Sequence, residues 1–220
     1  MALIKPKEAQ VVRDRFEKEM EKEVHIIAFT TKDQQKCQYC DLTIQLLEEV
    51  ASFAPDKIQL QVWDGDQNSQ KVQEYGMDHF PGFVIRPFDQ RAIQVKFYGI
   101  PSGHEFRTLL DDIILVSQGA TPDLSPSVMA KVQSISTPTK IQVFITPTCP
   151  YCTKAVLMAH QFAMINPMIS GEMVEAMEFP ELSARYGVSS VPQIVINDGK
   201  HSFVGAQPEE SFIAEVLKGL

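Results

Sequence analysis

Four cysteines stand in two pairs of identical spacing, Cys37-Gln-Tyr-Cys40 and Cys149-Pro-Tyr-Cys152, and the first cysteines of the pairs are 112 residues apart. Other marks recur in nearly the same register: Tyr75-Gly76 answers to Tyr186-Gly187, and Pro81 to Pro192. A repeat of this length is one domain rather than one solenoid unit. The 220 residues are therefore expected to form two units, 1–118 and 119–220, each with its own pair.

Closely spaced cysteine pairs either bind metal or cycle between dithiol and disulfide. A zinc ribbon joins two such pairs within roughly 15 to 20 residues. Here Cys40 and Cys149 lie a whole domain apart and only five histidines are scattered through the chain, so no metal is expected. A secreted disulfide framework fits no better. The chain is long for one, and the first residues, Met1 to Glu8, lack the apolar core of a secretory signal. Reduced, cycling thiols in the cytoplasm are the expectation. A formal charge of -8 argues against an extended nucleic-acid or anionic-membrane surface, and no apolar run reaches the roughly 18 residues of a membrane helix.

The pattern of apolar residues gives each half the same series: helix, strand, helix, strand, helix, hairpin, helix. In the first half a helix with Val11, Val12, Phe16 and Met20 precedes the strand Val24 to Phe29, which runs directly to Cys37. A helix from Asp41 to Phe53 (Leu42, Leu46, Leu47 and Val50 inward), a strand around Ile58 to Val62 and a short helix ended by Gly76 follow. After Pro81 come two strands, then a helix to Val116 for which Ser102 and Glu105 read as a capping box. The second half opens with Ser125-Pro126 as cap and first helical residue, and Ile141 to Thr146 is the strand that delivers Cys149. Asn197-Asp198-Gly199-Lys200 marks the second hairpin, and Pro208-Glu209-Glu210 starts the last helix. The fold class is α/β, with each half a central mixed sheet flanked by helices. The boundary falls near Gln118 to Pro126, a linker short enough to imply packed halves.

A cysteine between a strand and a helix meets unpaired backbone amides and the positive end of the helix dipole, both of which stabilise a thiolate. Cys149 and Cys37 are therefore assigned as nucleophiles. Cys152 and Cys40 are assigned to resolve the mixed disulfide that the nucleophile forms with a substrate. Pro150 suits the first helical position, which would leave Cys149 at the cap, whereas Gln38 keeps its amide proton; the two sites should differ in acidity.

Phe80-Pro81 and Val191-Pro192 follow the first cysteines at matched distances, each at the mouth of a strand. With this the chain resembles the thioredoxin superfamily, in which a cis-proline lies against the Cys-x-x-Cys turn. That resemblance implies that Val191 and Phe80, before the prolines Pro192 and Pro81, offer their backbones to an extended substrate segment. Closer still is the resemblance to the glutaredoxin-like protein disulfide oxidoreductases of thermophilic archaea and bacteria, which fuse two thioredoxin folds. It covers essentially the whole chain. Its marks are Cys37-Gln-Tyr-Cys40, the stretch from Phe97 to Phe106, Thr146-Pro-Thr-Cys-Pro-Tyr-Cys152, Gly171 to Ala176 and Val191 to Val195. It implies reduction, oxidation or isomerisation of protein disulfides through two redox-active disulfides with no bound cofactor. The implied partners are protein disulfides and a thioredoxin reductase-like flavoprotein or a peroxiredoxin.

The chain departs from that pattern in places. The segment from Thr30 to Lys36 is three residues longer than its counterpart before Cys149. Abundant glutamine and 22% charged residues do not match the Lys and Glu enrichment of hyperthermophile proteins. Val143 stands where thioredoxins often carry a buried carboxylate. Glu175 and Asp64, on neighbouring strands, are the candidate proton acceptors, although charges at strand ends are more commonly exposed. Tyr39 and Tyr151 are expected beside the reactive sulfurs. His79 and His160 read as surface or interface residues, and Trp63, Phe83, Met158, Met164, Met168 and Met173 as packing. Rival readings are a glutathione-linked glutaredoxin, an electron-transfer module for a peroxidase, and a noncatalytic binding module whose cysteines are local staples.

Overall fold

The computed structural model describes residues 2–33, 37–89, 91–119 and 122–220. Its first half runs α1 (Pro6–Glu19), β1 (Val24–Thr30), α2 (Cys40–Ser52), β2 (Ile58–Asp64), α3 (Ser69–Tyr75), β3 (Gly82–Pro87), β4 (Gln94–Tyr98) and α4 (Glu105–Ser117). The second repeats it as α5 (Pro126–Ser134), β5 (Thr139–Ile145), α6 (Cys152–Ile165), β6 (Ile169–Glu175), α7 (Pro180–Arg185), β7 (Gln193–Ile196), β8 (His201–Val204) and α8 (Glu209–Lys218). The expected order of elements is met in both halves, as two tandem thioredoxin folds.

All eight strands join in one sheet of order β2-β1-β3-β4-β6-β5-β7-β8. Within each half the inner strand, β1 or β5, pairs parallel on one side and antiparallel on the other. The halves meet where β4 and β6 pair parallel, with Phe97 opposite Met173 and Tyr98 opposite Val174. Of the short linker, positions 120 and 121 lie outside the described residues, as do 34–36 in the longer segment before Cys37.

Strand alternation sends residues to two cores. On the face covered by α1, α2, α4, α5, α6 and α8, Ile26, Phe83, Phe97, Val143, Met173 and Ile194 belong to one cluster that crosses the seam between the halves. On the face covered by α3 and α7, Phe29, Val84, Tyr98, Phe144, Val174 and Leu182 form the second. Trp63 packs at the edge of that second cluster. Met158, Met164 and Met173 are buried as expected, but Met168 is exposed.

Several local expectations change. Val11 and Leu42 face solvent instead of the core, because Ala9, Val12 and Phe16 set the buried stripe of α1, and Cys40, Thr43, Leu46, Leu47 and Val50 that of α2. Ser125 does cap α5, accepting from the amide of Val128. The capping box of α4 is absent: the helix starts three residues later, with His104 as the flanking residue and no side-chain cap. Glu105 instead turns into the core, where its Oε2 accepts from the Thr108 hydroxyl at 2.6 Å.

Candidate functional site

Because β1 and β5 run in the same direction in one sheet, both cysteine pairs emerge at the same edge. Four strand steps separate them, roughly 19 Å at about 4.8 Å per step. Each pair is closed as a disulfide with 5.5 Å between Cα atoms. Both X-Pro bonds expected before β3 and β7, Phe80-Pro81 and Val191-Pro192, are cis.

At the C-terminal site β5 ends at Ile145, and the turn that follows is closed by the Cys149 amide donating to the Thr146 carbonyl at 3.1 Å. Tyr151 flanks α6 and Cys152 is its first residue. Cys149 thus lies one turn ahead of the helix, not at its cap, and Pro150 is not the first helical residue. The second cysteine occupies that place, where the free amides and the helix dipole act on the pair. Both sulfurs sit in the large core cluster. Tyr151, expected beside the sulfur, is 70% exposed and forms part of the surface next to the pair.

The N-terminal site is built alike but set differently. The Cys37 amide donates to the Asp33 carbonyl at 3.1 Å, Tyr39 is half-buried and Cys40 starts α2. Cys37 and Cys40 are buried, yet among the described residues they join neither core cluster. With Thr31, Lys32, Gln38 and Asp41 they line a cavity of about 410 Å³. The half-buried ring of Phe80 covers Gly65, where an added Cβ would stand 2.2 Å from it, so a side chain there would displace the ring.

The carboxylates divide between the sites. Asp64 is half-exposed at the end of β2 and accepts from the Asp66 amide at 3.1 Å, the ordinary role of a strand-end charge. Glu175 departs from the exposed strand end that its position suggests: it is 3% exposed, and burial raises its pKa. Its Oε2 accepts from the Glu178 amide at 2.7 Å while its Oε1 has no hydrogen-bond partner.

Two further acids were missed in the sequence, one of them, Glu178, beside Glu175. Burial pushes the Glu178 carboxyl up to about 7; its Oε1 accepts from the Ile100 amide at 2.7 Å and its Oε2 is unpartnered. Burial likewise pushes Glu105 up to about 7, with Oε1 unpartnered. Glu105 follows His104, whose amide donates at 3.1 Å to the carbonyl of Pro147, two residues before Cys149. The signal for this approach was in Gly103: its φ is +61°, and an added Cβ would stand 2.2 Å from that carbonyl. Behind Glu105, α4 and α6 share the fully buried Asp112 and His160, joined at 2.6 Å. His160 is thus an interface residue, as expected. His79 also lies at the seam, its ring 5.4 Å from those of Tyr98 and Phe179.

Among the described residues no group of three or more His, Cys, Asp or Glu is arranged to hold a metal ion, and no helix is long and apolar enough to cross a membrane. A disulfide at a helix N-terminus, twice on one sheet, in halves that each carry a cis-proline before a strand, defines a thiol-disulfide oxidoreductase of the thioredoxin fold.

Comparison with known proteins places it more closely. The family model described as "Thioredoxin domain" matches residues 139–218. A protein disulfide oxidoreductase from Aeropyrum pernix superposes with a TM-score of 0.86 at 30% identity, over 96% of this chain and 91% of that one. The NTD_N/C domain of alkylhydroperoxide reductase AhpF from Enterococcus faecalis superposes equally well, TM-score 0.86 at 27% identity, over 97% and 99%. The F component of alkyl hydroperoxide reductase in Staphylococcus aureus is 30% identical over 127 residues, 57% of this chain and 24% of the relative. The chain spans about a quarter of the length of the curated relatives it matches. It belongs to the family of glutaredoxin-like, tandem thioredoxin-fold protein disulfide oxidoreductases.

Proposed function

We propose that the chain carries electron pairs from a thioredoxin reductase-like flavoprotein to protein disulfides, and that the Cys149–Cys152 pair does most of this work. The observation that carries the reading is the build of that pair: it opens α6 after β5, whose Phe144 pairs with Gln193 directly after cis-Pro192, and the turn before Cys149 is held by His104, the neighbour of the buried Glu105. An extended substrate segment pairs with the backbone of Val191 at the C-terminal site and of Phe80 at the other. The Cys149 thiolate attacks a substrate sulfur, forming a mixed disulfide and expelling the other substrate sulfur as thiolate. Cys152 then loses its proton and attacks the Cys149 sulfur, which releases the reduced substrate and closes the disulfide. Two electrons have passed to the substrate. A carboxyl whose pKa is raised by burial suits the Cys152 proton, so Glu105, raised to about 7, and Glu175, raised by the same cause, are assigned to it in place of Val143. Asp64 is the corresponding candidate at Cys37–Cys40.

The likeness to alkyl hydroperoxide reductase components favours a peroxide-reducing system as the destination, a peroxiredoxin being the disulfide partner. Thiols that must be reduced again after each turnover suit the cytoplasm. Exchange requires contact between sulfurs, so at roughly 19 Å apart the two pairs communicate through a visiting molecule and not directly. The test is insulin-disulfide reduction with a thioredoxin reductase system, compared with glutathione alone. Cys149→Ser should remove most of the activity; near wild-type turnover in that variant would move the chemistry to Cys37. Activity with glutathione alone would make the chain a glutaredoxin.

A further inference from the structure

The turn between β6 and α7 reaches the supports of both disulfides. Glu178 lies in this turn and crosses the seam to accept from the Ile100 amide at 2.7 Å. The chain it holds has just reversed at Gly99 (φ +90°), where an added Cβ would stand 2.7 Å from the Glu175 Cβ and 2.9 Å from Glu178 Oε1. From Ile100 the same loop continues to Gly103 and His104, which close on the carbonyl of Pro147 ahead of Cys149. The next residue, Phe179, crosses the seam in another direction. Its ring packs on that of His79 at 5.4 Å and on that of Tyr98 at 6.5 Å. His79 directly precedes the cis Phe80-Pro81 bond at the N-terminal site. The turn is itself held, since the amides of Glu178 and Phe179 both donate to the Glu175 carbonyl. Met177, between the two acids, is 75% exposed.

We propose that Glu178 and Phe179 are positioning residues shared by the two redox sites, Glu178 seating the loop that closes on the turn before Cys149 and Phe179 seating the loop that carries cis-Pro81 in the N-terminal half. The inference rests on the reading that both pairs exchange disulfides. Neither residue touches a sulfur: each acts through the first half, and one dipeptide of the second half sets the geometry of both sites. A rigid link of this kind costs little when several contacts already fix the turn, and small displacements at a thiol-disulfide centre have large effects on rate. Among the described residues the charged group that acts on Glu178 is Glu175: burial raises the Glu178 pKa most, the Ile100 amide lowers it and the Glu175 carboxylate raises it.

The experiment uses the full chain with one pair silenced at a time. In the Cys37→Ser, Cys40→Ser background, Glu178→Ala should lower kcat/KM for a protein disulfide between about tenfold and a hundredfold, the loss of one charge-assisted hydrogen bond. Glu178→Gln keeps an acceptor for Ile100 and should recover most of the rate while flattening the pH profile near neutrality. In the Cys149→Ser, Cys152→Ser background, Phe179→Ala should raise KM about two- to tenfold, the range of an aromatic pair, and shift the measured reduction potential of Cys37–Cys40. Phe179→Tyr should restore both. Far-UV circular dichroism and the thermal midpoint identify a variant that fails to fold, and the Gln and Tyr variants then stand in for it. If either single-pair parent has no activity, the reading of that site fails. If the parents are active and Phe179→Ala leaves the N-terminal KM and potential unchanged, or Glu178→Ala leaves the C-terminal rate unchanged, the shared positioning is overturned.

Discussion

The two cysteine pairs are made from the same local parts and differ in what surrounds them. Each follows an inner strand, starts a helix with its second cysteine and belongs to a half with a cis-proline just before the strand that pairs antiparallel with that inner strand. The C-terminal pair is packed into the main core, and the buried Glu105 and Glu175 and the half-buried Glu178 line the loop from Ile100 to His104 and the turn after β6. The N-terminal pair borders a cavity of about 410 Å³, and the carboxylate proposed for it, Asp64, is half-exposed. In both, the second cysteine is the first residue of a helix. Desolvated acids at only one of them predict different proton handling, so site equivalence in sequence does not imply equivalence in chemistry.

The comparison breaks most directly by removing one nucleophile at a time. Cys149→Ser should cost about a hundredfold or more in protein disulfide reduction, as loss of a nucleophile does, whereas Cys37→Ser should retain most turnover. Equal losses in a steady-state insulin assay would make the sites equivalent. A step smaller, Gly103→Ala places a side chain at positive φ and against the Pro147 carbonyl. It should destabilise the fold by about 1–3 kcal/mol in urea unfolding and impair the C-terminal site more than the N-terminal one.

Glu105 supplies a pH test. Its folded pKa is raised from the ordinary 4.5 to about 7, so the native state holds the proton more tightly than the unfolded state across that window. Stability is then greater at the acid end and falls as pH rises from 4.5 to 7. Glu105→Gln should remove part of that fall, at most about 3 kcal/mol, in urea midpoints measured across the window. It should also flatten the pH dependence of the C-terminal pair alone. The smallest effect belongs to Asp64→Asn, expected to change N-terminal turnover less than about twofold; a larger loss would give that site its own proton acceptor.

Much of this architecture was legible. The period of the cysteine pairs, the matched prolines and the alternation of apolar residues specified two copies of one fold, because these are local patterns that a strand or helix imposes on its own sequence. Boundaries were less so. Ser102 and Glu105 have the spacing of a capping box, yet Glu105 is drawn inward because the start of α4 packs on the turn before Cys149, a contact across the seam. Leu42 failed in the same way, its helix burying the stripe that includes Cys40.

By itself the sequence determined the class of chemistry: two Cys-x-x-Cys pairs, each between a strand and a helix, with a proline at matched distance. Only the tertiary structure decided that the halves share one sheet through β4 and β6, and hence which acids lose solvent. The reason is physical. A thiol's place on a helix is set by neighbours a few residues away, but desolvation is set by whatever packs around a group, and for Glu105, Glu175 and Glu178 that packing comes from both halves of the chain.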